Sequence, residues 1–432
     1  MYFLFELYII LIIYLMTTYS IIIPTRDRHE TLYHTLRSVL SLVGNNLEVI
    51  VSDNYSSEHT KNVVNQFTDH RLVYSRTDER ISMVANFERG IRLSQGDFVT
   101  IIGDDDFIVP SAWNLIKPVL KDIDVVTWFR YSYYWNNFPE ASGMLYASLS
   151  KSVVKQNSCQ VLNAAIKQFL NYQFLPSFYN SWISRSLINK LIHVNQKYRI
   201  SDYIFPKGAL SPDVYSSLQL LLVSDCFLFS TLPFTVSGIS TFSNGMGPKY
   251  GNRDSQVFMK ESGYKSQVEA VHPILSELIA FLEKHNLNTM QACIASDYFA
   301  LLDNYKPIIA PSLSKIELLA TLLKRMGSTY SIPEHLVREM TEIVGLDDTS
   351  LPSVDTGKDF EFFDFYGVKS NTFTVDTRKW GAKNVYDAMI LYEKFLSGTE
   401  AVDRYDRYRY WNRLKKSVKP VLKPFIQKFL RK

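Results

Sequence analysis

The sequence predicts an α/β fold with a mostly parallel sheet, flanking helices and a helical region towards the C-terminus. Three observations carry this reading. From Tyr19 to about Tyr131, short β-branched runs alternate with stretches of helical periodicity. The links between them are short, and aspartates follow directly on several runs. Strand–helix alternation with short links implies parallel pairing, and such sheets hold ligands at the carboxyl ends of their strands.

In chain order, "YSIIIP" is a buried strand, and "HETLYHTLRSVLSLV" places Leu32, Leu36, Val39, Leu40 and Val43 on one helical face. "LEVIVS" is the second strand, "EHTKNVVNQF" a helix, "RLVYSR" a third strand and "SMVANFERGIRL" a third helix. "FVTII" is the fourth strand, followed by the helix "PSAWNLIKPVL" and the strand "DVVTWFRY". Residues 131–180 are irregular and rich in Tyr and Asn, then helical around "CQVLNAAIKQFLNY". "SFYNSWISRSLI" and "CFLFSTLPFTVSG" read as strands on either side of the helix "SPDVYSSLQLLL". A Gly-rich polar stretch, 238–255, marks a domain boundary. Residues 256–347 read as a helical domain, 348–378 as linker and mixed segment, and 379–432 as a helical C-terminal segment ending in a basic tail.

Composition excludes several classes. The 432 residues carry a net charge of +4, and Arg413 to Lys432 alone hold eight Lys or Arg and no acid. The rest of the chain is therefore acidic by four charges, which argues against a nucleic-acid partner. The three cysteines, Cys159, Cys226 and Cys293, are far apart and form no CxxC pair. Neither a disulfide framework nor a zinc site is expected, and a cytoplasmic setting fits. Residues 1–15 are apolar but contain Glu6, lack a basic leader and fall short of the length of a membrane span. They read as an extension from an upstream start, with Met16 opening "MTTYSIIIPTRDR"; a membrane anchor and a core helix are the alternatives.

"GDDDF" poses the chemical question. Three adjacent carboxylates repel one another. Helix capping explains them poorly, because Pro110 is the expected first helical residue and lies four or more positions beyond. A divalent cation with oxygen ligands would relieve the repulsion. Asp27, Asp53 and Asp104 to Asp106 all follow strands, so one sheet edge is the candidate site.

Taken together, "SIIIPTRDR", "LEVIVSDNYSSEHT", "SMVANFERGI" and "GDFVTIIGDDDFIVP" resemble the family-2 glycosyltransferases of GT-A fold. The likeness covers about residues 19–118, with a weaker continuation to about 237, and sets the domain at 16–245. It implies a nucleotide-sugar donor, UDP-linked by the family's habit, a bound Mn²⁺ or Mg²⁺, and inverting transfer to a hydroxyl of a glycan or lipid-linked acceptor. By the same likeness Asp53 contacts the base; its other reading is a turn-closing Asx residue. Thr25 and Asp27 lie where the nucleotide sits, Arg80 reaches the diphosphate and Asn86 lines the donor site. Arg80 and Asn86 read equally well as ordinary surface polar residues. Counting back from Pro110, the first acid of the family's DxD motif falls on Gly103 and the second on Asp105. The resemblance thus makes Asp105 the principal metal ligand, gives Asp104 to the ribose and Asp106 to support. A one-residue slip would exchange these roles. The general base falls on Asp213, with Asp202 as runner-up. The competing reading takes Ser211, Pro212 and Asp213 as a plain helix start. A sugar-nucleotide nucleotidyltransferase is the rival enzyme, disfavoured because "IPTRDR" lacks a Gly-rich loop; a non-catalytic nucleotide- or glycan-binding module is the other rival.

The tail, "RLKKSVKPVLKPFIQKFLRK", spaces its apolar residues on a helical face among cations. It reads as an interfacial helix on an anionic membrane, which would place the enzyme peripherally on the inner membrane face. Pro420 and Pro424 weaken that helix, and packing of the apolar stripe on the helical domain is the alternative.

Overall fold

The computed structural model describes residues 17–241, 272–309, 315–346 and 371–399, less 140, 169–171, 207, 286, 288–289, 316–317 and 324–332. Residues 1–15 and the basic tail lie outside the described residues. The first four strands are β1 (Tyr19–Thr25), β2 (Leu47–Asp53), β3 (Leu72–Arg76) and β4 (Phe98–Ile101), all parallel to one another. Helices α1 (His29–Leu40), α2 (Glu58–Val64) and α3 (Met83–Leu93) connect them. Their residues explain the layering. β1 and β2 are buried on both faces, as strands covered by helices must be. α1 buries Leu32, Leu36 and Val39 in the same core. The helix ends at Leu40, however, so Val43 is 93% exposed rather than part of its apolar face.

Beyond β4 come β5 (Phe107–Ile108) and α4 (Pro110–Ile116), which starts on its proline as expected. A 3₁₀ turn, Lys117–Asp122, follows it, because Pro118 cannot continue an α-helix. The single strand expected over "DVVTWFRY" is two, β6 (Val125–Trp128) and β7 (Tyr131–Tyr134). The chain leaves one sheet for another at Phe129–Arg130. β8 (Met144–Ser148), β9 (Val153–Asn157) and α5 (Ser158–Gln168) come next. Of "SFYNSWISRSLI" only Ser181–Ser184 is a strand, β10. Ser184 then caps α6 (Arg185–Lys197) by accepting from the Leu187 amide at 3.0 Å, which turns the remainder helical. α7 (Pro212–Val223), β11 (Cys226–Ser230) and β12 (Thr235–Ile239) follow.

The large sheet runs β3-β2-β1-β4-β10-β6-β11-β9, mostly parallel, with β10 antiparallel to both its neighbours. Its register puts Thr25 beside Asp53, and Asp53 beside Arg76. The carboxyl ends of three strands are therefore level.

The smaller sheet, β13-β8-β7-β12-β5, carries a strand from far down the chain. β13 (Thr372–Asp376) lies in the segment read as linker and mixed structure, yet it pairs antiparallel with β8 from Thr372–Ser148 to Asp376–Met144. α11 (Val385–Ser397) packs on α1, and Ser38 Oγ donates to Met389 Sδ at 3.1 Å. Helices α8 (Pro273–Lys284), α9 (Met290–Asn304) and α10 (Glu334–Ile343) form the expected helical region. That region shares buried hydrogen bonds with the α/β layer: Gln219 Nε2 donates to the Tyr305 hydroxyl at 2.6 Å, which donates to Asn195 Oδ1 at 2.6 Å. The Gly-rich boundary is also structural at its start, because Gly238 belongs to β12.

Candidate active site

The level strand ends bring the sequence-selected acids to one edge. At the end of β1, Thr25 Oγ1 donates to Asp104 Oδ2 at 2.7 Å. Three residues on, Arg28 Nη1 lies 3.0 Å from Asp104 Oδ1 and 3.8 Å from Asp105 Oδ2. Burial works against the charge of Arg28, but the two carboxylates outweigh it and hold its pKa above the ordinary arginine value. A guanidinium thus offsets part of the negative charge of the two acids that sequence alone left in repulsion.

Asp27 takes a left-handed backbone, with φ of 53°, which aspartate tolerates better than most residues. Its amide donates to Ser56 Oγ at 2.8 Å and its Oδ1 accepts from the Ser57 amide at 2.8 Å. It latches the loop after β1 to the loop after β2. Asp53 is fully buried; Oδ1 accepts from the Ser56 amide at 2.9 Å and Oδ2 from the Tyr74 hydroxyl at 2.6 Å. Burial and that bond raise the Tyr74 pKa, so the hydroxyl stays protonated and donating. The turn-closing role of Asp53 is therefore realised.

Arg80 is exposed in the loop after β3, at the same edge. Asn54, which sequence reasoning passed over, ties that loop down: it donates to the Ile81 carbonyl at 2.8 Å and accepts from the Ile81 amide at 2.9 Å. Asn86 differs from expectation. Its amide donates to the Ser52 carbonyl at 3.0 Å and accepts from Ser52 Oγ at 2.8 Å, beneath β2, so it secures the strand rather than lining the edge.

The three consecutive acids divide. Asp104 and Asp105 face Arg28, and Ser240 Oγ donates to Asp105 Oδ2 at 3.3 Å. Asp106 turns inward. Its oxygens accept from the Gly103 and Gly238 amides, both at 2.8 Å, and from the Tyr179 hydroxyl. Burial pushes its pKa up despite those donors. Both oxygens of the Asp106 carboxylate are thus engaged within the turn, while those of Asp104 and Asp105 face Arg28. Gly238 is needed for close approach: a Cβ there would lie 1.6 Å from the Asp105 carbonyl oxygen.

Asp213 sits in the first turn of α7, and Arg130 Nη1 donates to its Oδ2 at 2.7 Å. Arg130 occupies the break between β6 and β7, its guanidinium 4.4 Å from the ring of Tyr179 and 5.4 Å from that of Tyr172. Burial opposes its charge, while Asp213 and the two tyrosines outweigh that and keep it protonated. Sequence reasoning missed Arg130, and no local signal marks it. Ser211 occupies the cap position of α7 but makes no side-chain cap bond. Asp297 of α9 holds the chain entering the helix instead, accepting from the Leu210 amide at 2.7 Å and the Ser211 amide at 3.2 Å. Asp202, the alternative base, lies exposed after α6, and its carbonyl accepts from Arg92 in the last turn of α3. That turn leads into β4, at the edge of the sheet away from the strand ends, so Asp202 is set aside.

Asp104 and Asp105 offer hard carboxylate oxygens, the donor set that Mg²⁺ or Mn²⁺ prefers. Among the described residues no three His, Cys, Asp or Glu side chains gather into a cage for a metal ion. An ion of this kind would take one or two carboxylates together with substrate phosphates. Among the described residues no helix is long and apolar enough to cross a membrane.

Residues 20–190 match the model of Glycosyl transferase family 2. The chain is 27% identical over 175 residues to the GalNAc(5)-diNAcBac-PP-undecaprenol beta-1,3-glucosyltransferase of Campylobacter jejuni, covering 40% of this chain and 53% of that one. It is 22% identical over 207 residues to the Escherichia coli UDP-Glc:alpha-D-GlcNAc-diphosphoundecaprenol beta-1,3-glucosyltransferase WfgD, covering 46% and 82%. It thus spans about half the length of the Campylobacter relative. Among solved structures it is similar to S. aureus TarS 1-349 in complex with UDP-GlcNAc, with 12% identity and a TM-score of 0.41 over 76% of this chain and 88% of that one.

Proposed function

We propose that this chain, which belongs to glycosyl transferase family 2, transfers a sugar from a UDP-linked donor to a hydroxyl of a lipid-linked glycan, with inversion. One observation carries the reading: a single contact network links the donor-side acids to a carboxylate at a helix start. It runs from Thr25, Arg28, Asp104 and Asp105 through the triple-aspartate turn to Tyr179, Arg130 and Asp213. The printed names of the Campylobacter and E. coli relatives support a glucosyl donor and a diphosphoundecaprenol-linked acceptor.

In this reading the uracil packs at Asp53, and Thr25 and Arg80 face the nucleotide from the loops at the same edge. Asp104 is close enough to Arg28 for the two to orient the ribose and diphosphate side of the donor. Asp105, helped by Asp104, would hold Mn²⁺ or Mg²⁺, whose charge would offset that of the departing diphosphate. The acceptor oxygen attacks the anomeric carbon from the face opposite the diphosphate. The bond from that carbon to the diphosphate oxygen breaks, and its electron pair leaves with UDP. Asp213 takes the acceptor proton. Arg130 keeps one Asp213 oxygen fixed, and a side chain 21% exposed leaves the carboxylate within reach of solvent and acceptor.

The test is a screen of purified protein with UDP-, GDP- and TDP-sugars, alone and with a diphosphoundecaprenol-linked saccharide. Release of UDP that rises with the lipid-linked saccharide, and a product of inverted anomeric configuration, are expected. Formation of UTP and sugar 1-phosphate from the UDP-sugar when pyrophosphate is added would instead indicate nucleotidyl transfer, and binding of UDP-sugar without any turnover would indicate a non-catalytic module.

A further inference from the structure

Gly103 opens the triple-aspartate turn, and a Cβ placed on it would lie 2.2 Å from the Tyr179 hydroxyl and 3.1 Å from Cγ of Asp106. No side chain fits there while Tyr179 stays. Tyr179 belongs to the turn before β10, where its amide donates to Ser177 Oγ at 3.2 Å and Ser177 Oγ donates to Asn180 Oδ1. Asn180 in turn donates to the Trp128 carbonyl at 2.7 Å, at the end of β6. The tyrosine is thus mounted on the strand end that precedes Arg130. Its hydroxyl bonds Asp106, which the Gly103 and Gly238 amides hold, and its ring lies 4.4 Å from the Arg130 guanidinium that binds Asp213.

We propose that Tyr179 is a positioning residue that fixes the spacing between the aspartate turn on the leaving-group side and the Arg130–Asp213 pair on the attacking side, and that position 103 is glycine to admit it. The inference rests on Asp213 as the base. It goes beyond that reading by assigning the link between the two halves of the site. One end of the link is the buried Asp106 and the other the half-buried Arg130–Asp213 pair, so a change in Tyr179 moves one half against the other. A displacement of about 1 Å in such an arrangement costs on the order of 100-fold in rate.

Four variants test this: Tyr179→Phe, Gly103→Ala, the two combined, and Asp213→Asn. The readouts are UDP release from the best of UDP-glucose, UDP-galactose and UDP-GlcNAc, donor KM, and thermal unfolding. Tyr179→Phe keeps the ring beneath Arg130 but loses the hydroxyl, and kcat should fall about 10-fold with donor KM within about twofold. Gly103→Ala pushes the hydroxyl away and should lose about 100-fold in kcat with a lower Tm. Removing the hydroxyl relieves that clash and leaves the closer-than-usual approaches of 3.0 Å to Asp105 Oδ1 and 3.1 Å to Asp106 Cγ, so the double variant should recover most of the rate and Tm that Gly103→Ala loses. Full activity of Tyr179→Phe beside an inactive Asp213→Asn would overturn the role of Tyr179 and leave the base intact. Full activity of Asp213→Asn would remove the base and this inference with it. A Gly103→Ala variant with unchanged Tm, or a double variant no better than Gly103→Ala, would overturn the pairing without reference to any substrate.

Discussion

Asp105 and Asp106 are neighbours in sequence with opposite surroundings. Asp105 looks towards Arg28 and Ser240 at the strand ends, whereas Asp106 accepts two backbone amides and a hydroxyl from within the fold. Asp105→Asn should therefore leave the Tm nearly unchanged and abolish turnover, and EDTA should reversibly do the same to the native protein. Asp106→Asn keeps only one acceptor oxygen for two amides, so it should cost about 1–3 kcal/mol of stability. Thermal unfolding beside UDP release separates the two, and an Asp105→Asn variant with normal turnover would refute the metal assignment. For Asp213, the change to Asn should preserve UDP binding and lower transfer by about 100-fold or more, as loss of a general base does. A variant that is merely less stable, with its rate intact, would make Asp213 a helix-start residue. Sequence singled out all of these acids because each follows a strand or opens a helix. It could not rank them, since the direction of a side chain in an irregular turn depends on what packs around it.

At the scale of the element, the start of α7 shows how the chain entering a helix can be held from a distance. The capping residue suggested by sequence, Ser211, contributes no side-chain bond, and the buried Asp297 of α9 instead accepts the amides of Leu210 and Ser211, where the chain enters the helix. Asp297 is pushed up to about 8 by burial, against the pull of those amides and with a further push from Asp213. The folded protein thus holds a proton that the unfolded chain releases near its ordinary value of 3.8. Between those two values the folded state binds more protons, so stability falls as pH rises and the contribution is lost through about pH 8. Asp297→Asn has no proton to lose, and its Tm should decline less than that of the native chain between about pH 5 and about pH 8.5. Parallel Tm curves for the two would sink this. The β6–β7 break is the other element-level surprise. "WFRYS" contains no Gly, Pro or Asn to signal it, so the strand reads as continuous and nothing sets Arg130 apart.

Across the whole molecule, the family match ends at residue 190, but the α/β unit does not. Asp213, β11 and β12 lie beyond it, and β13 and α11 return from residues 372–397 to complete the smaller sheet and cover α1. Phe373, Val375, Val385, Tyr392 and Phe395 are buried there, the Tyr392 hydroxyl donates to the Ser148 carbonyl, and Glu393 accepts from the Ser111 amide at 2.9 Å. A chain ending at residue 370 should therefore lose the cooperative unfolding transition of the native chain or aggregate. Equal transitions for both would show that β13 and α11 are dispensable. The basic tail from Arg413 leads to a separate expectation: salt-sensitive binding to anionic vesicles, lost when the chain stops before Arg413, with UDP release retained. Each cation near an anionic surface adds about 1 kcal/mol, so equal binding to neutral vesicles would count against it.

Periodicity and β-branched runs determined the strand–helix alternation, because those patterns are set within a few residues by backbone geometry and by which face is buried. They also determined that Asp27, Asp53 and the triple aspartate share an edge, since parallel pairing brings successive strand ends level. Tertiary structure alone decided what those acids touch. Arg28 reaches Asp104 across 76 residues and Arg130 reaches Asp213 across 83. Asp297 reaches Leu210 across 87, and β13 pairs with β8 more than two hundred positions away. Contacts of that separation leave no mark in local composition. Their energy comes from burial and charge pairing that exist only once the chain has closed.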